Sequence, residues 1–121
     1  MKKAIWKFPL EPVPGSAIIE TFMPPGAVLL TAAAHGNEVC VWAEIDLEQA
    51  DDAEEVVFEV YGTDQNMQEE NEEKRRYLGT AFLYDGAVIF HVYHVQAFDT
   101  VDLTRNISRE LDRHYKCRAS I

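Results

Sequence analysis

The sequence predicts a mainly β domain of the α+β class: a small antiparallel β-sandwich or curved sheet of about seven strands, with one C-terminal amphipathic helix. Three observations predict it. Residues 77–95 (YLGTAFLYDGAVIFHVYHV) are densely apolar around Asp85-Gly86, a pair that tolerates the positive φ of a two-residue hairpin turn. Upstream, short β-branched and aromatic runs are separated by proline and glycine punctuation. Beyond His94 the apolar period changes to four, with Leu103, Ile107 and Leu111 on one helical face.

Each element follows from local chemistry. Residues 4–9 alternate, with Ala4, Trp6 and Phe8 on one side and Ile5 and Lys7 on the other, until Pro9 and the 12–15 turn end the strand. Residues 16–22 form a second, β-branched strand, closed by Pro24-Pro25-Gly26. Residues 27–34 and 38–46 read as a hairpin around His35-Gly36-Asn37. In its returning strand Val39, Val41, Ala43 and Ile45 point inward, while Trp42 points outward among carboxylates. Residues 47–54 are an acidic connection, and 55–63 a fifth strand with Val56, Phe58 and Val60 inward. Residues 64–76 have no apolar period and read as a long flexible loop or at most a frayed helical turn.

The 77–95 hairpin should pair Leu83 with Val88, Phe82 with Ile89, Thr80 with His91, Gly79 with Val92 and Leu78 with Tyr93. Both its faces are largely apolar, so it should be covered on both sides at the centre of the fold. In the helix, Asp102 is the N-cap. Arg105, Arg109 and Arg113 form a second stripe beside the apolar one. That stripe is relieved by Asp112 and the helix C-terminus, or it meets the acidic segment of a second copy in a homo-oligomer. The 121 residues make one domain, with a β core over 1–95 and the helix over 99–117.

The net charge of −10 is concentrated: residues 38–73 hold 14 of the 21 acidic side chains and no lysine or arginine. Direct binding to nucleic acid is disfavoured, because phosphate contacts need clustered cations. No apolar run reaches membrane-spanning length, and Lys7, Pro9 and Glu11 interrupt any leader-like stretch, so a soluble, cytoplasmic protein is expected. Two cysteines, Cys40 and Cys117, make no disulfide framework. The acidic segment is either a solvated, solubilising surface or one that docks a basic partner.

Catalytic and metal chemistry finds little support. His91 and His94 lie three apart on a strand, so their side chains leave opposite faces, and the cysteines lack C-x-x-C spacing. An EF-hand register starting at Asp64 puts Glu69 where glycine is needed and Arg75 where a bidentate glutamate is needed. There is no nucleophile elbow and no phosphate loop. Of the carboxylates, only Glu20, Glu38, Glu44 and Glu59 sit on strands, where burial could tune them. The chain reads as a non-enzyme without metal or cofactor.

Several short motifs then fall in order: Ile5-Trp6-Lys7-Phe8-Pro9-Leu10, Pro25-Gly26-Ala27, Val41-Trp42-Ala43, Tyr61-Gly62-Thr63, Tyr77-Leu78-Gly79-Thr80 and Phe90-His91-Val92-Tyr93. Over residues 4–93 the chain resembles a family of small uncharacterised proteins found mostly in bacteriophages and prophages, the DUF7352 type. The resemblance implies a phage accessory protein in the host cytoplasm, with no assigned activity. This chain departs from the family pattern in two places. Asp64-Gln65-Asn66 stands where members continue with glycine and histidine, and the helix is an addition.

The leading expectation is a phage-encoded inhibitor that docks a host or defence protein with a basic surface. Its contacts would be Trp42, Glu44, Asp46, Glu48, Asp51, Asp52, Glu69, Glu70, Glu72 and Glu73. The alternative is a homo-oligomeric protein that sequesters a nucleotide signal, stacking it on Trp6 or Trp42 and holding phosphate with Lys7 or with Arg105, Arg109 and Arg113. A virion or assembly component is the third.

Overall fold

The computed structural model describes residues 2–96. Seven strands form in chain order: β1 (Lys3–Leu10), β2 (Ile18–Met23), β3 (Val28–His35), β4 (Glu38–Asp46), β5 (Glu54–Gly62), β6 (Arg75–Leu83) and β7 (Val88–Val95). They make a single curled sheet in the order β1-β4-β3-β6-β7-β5-β2. All neighbours are antiparallel except β3 and β6, which run parallel.

This corrects the expected α+β class. The described residues are all-β, in one sheet rather than two, and their only helical element is a 3-10 turn at Leu47–Gln49. The side chain of Asp46 caps that turn, accepting from the Glu48 amide at 3.0 Å. Period-2 alternation says which face a residue takes, but not which strand lies beside it. The order follows instead from four connections that do not join neighbours: β1 to β2 runs from one edge strand to the other, β2 to β3 and β4 to β5 each cross several strands, and β5 to β6 passes β7. The helix expected over 99–117, with Arg105, Arg109 and Arg113, lies outside the described residues.

The inner face carries the core. Val39, Val41, Ala43 and Ile45 of β4 pack with Met23, Phe58, Val60, Ala81, Leu83 and Val92, all buried. Each of these side chains other than the two alanines contributes about 1.5–3 kcal/mol on removal from water. The parallel contact of β3 with β6 is made where Ala32 faces Gly79. A Cβ on Gly79 would sit 2.1 Å from the Ala32 carbonyl oxygen, so glycine is required there by close approach. Bulges at Leu30 in β3 and Leu78 in β6 flank this junction.

The central hairpin keeps the expected register from Leu83–Val88 to Gly79–Val92. The bulge at Leu78 then shifts it by one, pairing Tyr77 with Tyr93. Its turn holds three consecutive left-handed residues, Tyr84, Asp85 and Gly86. The Asn37 side chain of the β3–β4 turn accepts from the Tyr84 amide at 3.0 Å, tying the two turns together. Coverage differs from expectation. β6 and β7 are central in the sheet, but Tyr77 and Phe82 on the outer face are each 60% exposed.

Candidate interaction surface

The outer face is covered in one place. Glu59, Tyr61 and Val57 of β5 and Val95 of β7 are buried on the side away from the core. The cover is the connection from β5 to β6, which runs back over this face. Glu59 is fully buried and its oxygens are all committed. Oε1 accepts from Tyr61 Oη at 2.7 Å and from Arg75 Nε at 2.8 Å, and Oε2 accepts from Asn71 Nδ2 at 2.7 Å. Tyr61 Oη in turn accepts from the Gln68 amide at 3.1 Å, and Arg75 donates to the Gln68 carbonyl. The guanidinium lies 5.9 Å from the ring centroids of both Tyr61 and Tyr93. Burial pushes the Tyr61 hydroxyl pKa up.

A buried carboxylate is costly unless its charge and lone pairs are met, and here they are. Glu59 is therefore a latch that holds residues 68–75 against the sheet. The long segment read as flexible is fixed at Gln68, Asn71 and Arg75. Sequence reading places Glu59 on a strand, but misses the latch because its partners lie 12 and 16 residues away.

The two histidines leave opposite faces. His91, on the outer side, has Nε2 2.8 Å from Thr63 Oγ1 and Nδ1 3.2 Å from Thr80 Oγ1. His94 faces inward, its ring 5.9 Å from that of Phe58, and burial lowers its pKa below the usual 6.5. Cys40 is buried between Pro9 and Ala33, and burial raises its thiol pKa.

The proposed contact residues fall into separate groups. Trp42 is half-buried on the outer face, with Lys7 opposite on β1 and Thr31 opposite on β3. Glu44 and Asp46 follow it on the same face, and Glu44 pairs with Lys3 at 3.3 Å. Glu48, Asp51 and Asp52 are exposed on the β4–β5 connection, and Glu69, Glu70, Glu72 and Glu73 are exposed just before β6. The strand directions put both segments toward one end of the sheet, where β4 finishes and β5 and β6 begin.

Of the alternative nucleotide site, the outer face sets Lys7 opposite Trp42 but not beside Trp6. Trp6 lies on the inner face opposite Ala43, whereas Lys7 lies on the outer face, its Nζ 2.6 Å from His35 Nδ1. The Tyr61-Gly62-Thr63 motif leads into Asp64, which is held at φ 74°, a conformation that glycine takes without strain. Gln65 closes this turn by accepting from the Gly62 amide at 2.9 Å.

Among the described residues no helix is long and apolar enough to cross a membrane. The family described as Domain of unknown function (DUF7352) matches residues 1–101. Neither the curated proteins nor the solved structures give a match.

Proposed function

The chain belongs to the DUF7352 family, and we propose that within it this member is a non-enzymatic accessory binding protein of a phage. It acts in the host cytoplasm and occupies a host or defence protein with a basic surface. The observation that supports this reading is the common placement of the two acidic segments. Asp51 and Asp52 lie on one connection and Glu69, Glu70, Glu72 and Glu73 on another, distant in sequence but directed toward one end of the sheet. The latch on Glu59 keeps the second segment in place rather than leaving it to sample solvent. A fixed negative patch steers and selects a cationic partner better than a mobile tail of the same charge.

The test is affinity capture from infected host lysate. The wild-type chain should retain a protein with a basic surface at low salt and release it as salt rises. A variant with Asp51 and Asp52 changed to Asn and Glu69, Glu70, Glu72 and Glu73 changed to Gln should lose it. Equal retention by both chains overturns the reading.

A further inference from the structure

The sheet ends in two strands, β1 and β2, that have a partner on one side only among the described residues. Both flank one cleft of about 510 Å³, lined by Pro9, Leu10, Val13, Ile18, Ile19 and Glu20. We propose that this chain pairs edge to edge with a second copy of itself, β1 of each copy against β2 of the other.

The backbone fixes what each edge offers. Val60 N donates to Ala17 O at 2.8 Å, and Leu47 N donates to Lys2 O at 2.9 Å. Bonded pairs alternate along an antiparallel ladder, so the peptide groups of Ile18, Glu20 and Phe22 on β2 face away from the sheet. Those of Lys3, Ile5, Lys7 and Pro9 do so on β1. Side chains at these positions share the outer face. One edge thus reads apolar-acidic-apolar and the other basic-apolar-basic.

One register satisfies both edges. Setting Glu20 opposite Lys7 of the second copy puts Phe22 opposite Ile5, and these two are each 62% exposed in the single chain. Lys3 keeps its own partner, Glu44. Pro9 falls opposite Ile18 at the end of the ladder, where its missing N–H removes one bond only. Following the pairings across the sheet shows that β1 and β2 run in opposite directions. A two-fold axis parallel to the strands therefore makes both joins antiparallel and forms them together. The two lysines and Pro9 deter indiscriminate pairing of β1, while the single carboxylate of β2 admits a basic edge.

Sedimentation velocity on the full chain should show a species of twice 13.8 kDa. Lys7→Glu and Glu20→Lys, both at exposed edge positions and checked for folding by circular dichroism, should each weaken assembly roughly tenfold or more. Mixing the two variants one to one should restore it, because each join then regains opposite charges. In a Cys117→Ser background, Ile5→Cys mixed with Phe22→Cys should form a covalent dimer. The Cα atoms of such a bonded pair lie about 5.5 Å apart, within disulfide reach. A monomer at all concentrations overturns the proposal, as does a dimer that survives both charge reversals without the cross-link. These outcomes leave the capture of a basic partner unaffected, since they involve none of the carboxylates altered in that test.

Discussion

Glu59 is the residue on which the outer-face structure depends, and its removal should be severe. Glu59→Ala strands the Arg75 guanidinium, whose side chain is only 9% exposed, with no counter-charge. Loss of one partner of a buried pair costs about 3–5 kcal/mol. Replacing both members, Glu59→Met with Arg75→Met, should cost less than Glu59→Ala alone, because neither leaves a buried charge. Urea titration of the variants checks the order, and a double variant less stable than Glu59→Ala would refute the account. Gly79→Ala should cost about 3 kcal/mol or more, since the new methyl collides with backbone at Ala32 rather than with a side chain that can turn away. His94 gives the pH dependence its sign. Its folded pKa is lowered by burial, so below pH 6.5 the unfolded chain binds the proton first. The contribution is whole above that pH and is lost as pH falls toward the folded value. His94→Leu should flatten the decline in thermal midpoint measured between pH 7 and pH 5.5.

At the scale of elements, the connection from β5 to β6 behaves as part of the sheet wherever it touches Glu59. In Glu59→Gln, amide exchange at Gln68 and Lys74 should accelerate together with proteolysis between them, while β4 and its core partners keep their protection. Unchanged exchange at Gln68 would show that the segment is held by something other than the latch. The same segment marks where the sequence stops being legible. Strand positions, the inward faces of β4 and β5 and the register near the Asp85-Gly86 turn are local properties, set by alternation and turn chemistry, and they can be read in order. The bulge at Leu78, the parallel junction at Gly79 and the burial of Glu59 depend on which strand lies alongside, and no local pattern encodes a neighbour. Met67 is the only apolar side chain in 64–76, so no apolar period marks that stretch as seated on the sheet. Its anchors are an asparagine, an arginine and two backbone groups of Gln68. The separation of Trp6 from Lys7, by contrast, was implicit in their adjacency on a strand.

For the whole molecule, the charge distribution sets a cost that a binding surface must carry. A net charge of −10 on a 121-residue chain, with exposed carboxylates directed toward one end, means that the folded state confines like charges which the unfolded chain can spread apart. Salt screens that repulsion over about 10 Å at 0.1 M, so stability should rise between 20 and 300 mM sodium chloride. For a chain of this size 1 kcal/mol corresponds to several degrees, so the midpoint should climb by roughly 2–5 °C. Changing Glu69, Glu70, Glu72 and Glu73 to Gln should raise the midpoint at low salt and shrink its salt dependence, because the charges removed are exposed and the latch residues are untouched. Differential scanning calorimetry across the salt series checks both outcomes, and a midpoint and salt slope unchanged by the four substitutions would overturn them. The repulsion belongs to the charges whatever they face, so a docking surface is told from a solubilising one by whether the same substitutions also abolish capture of the partner.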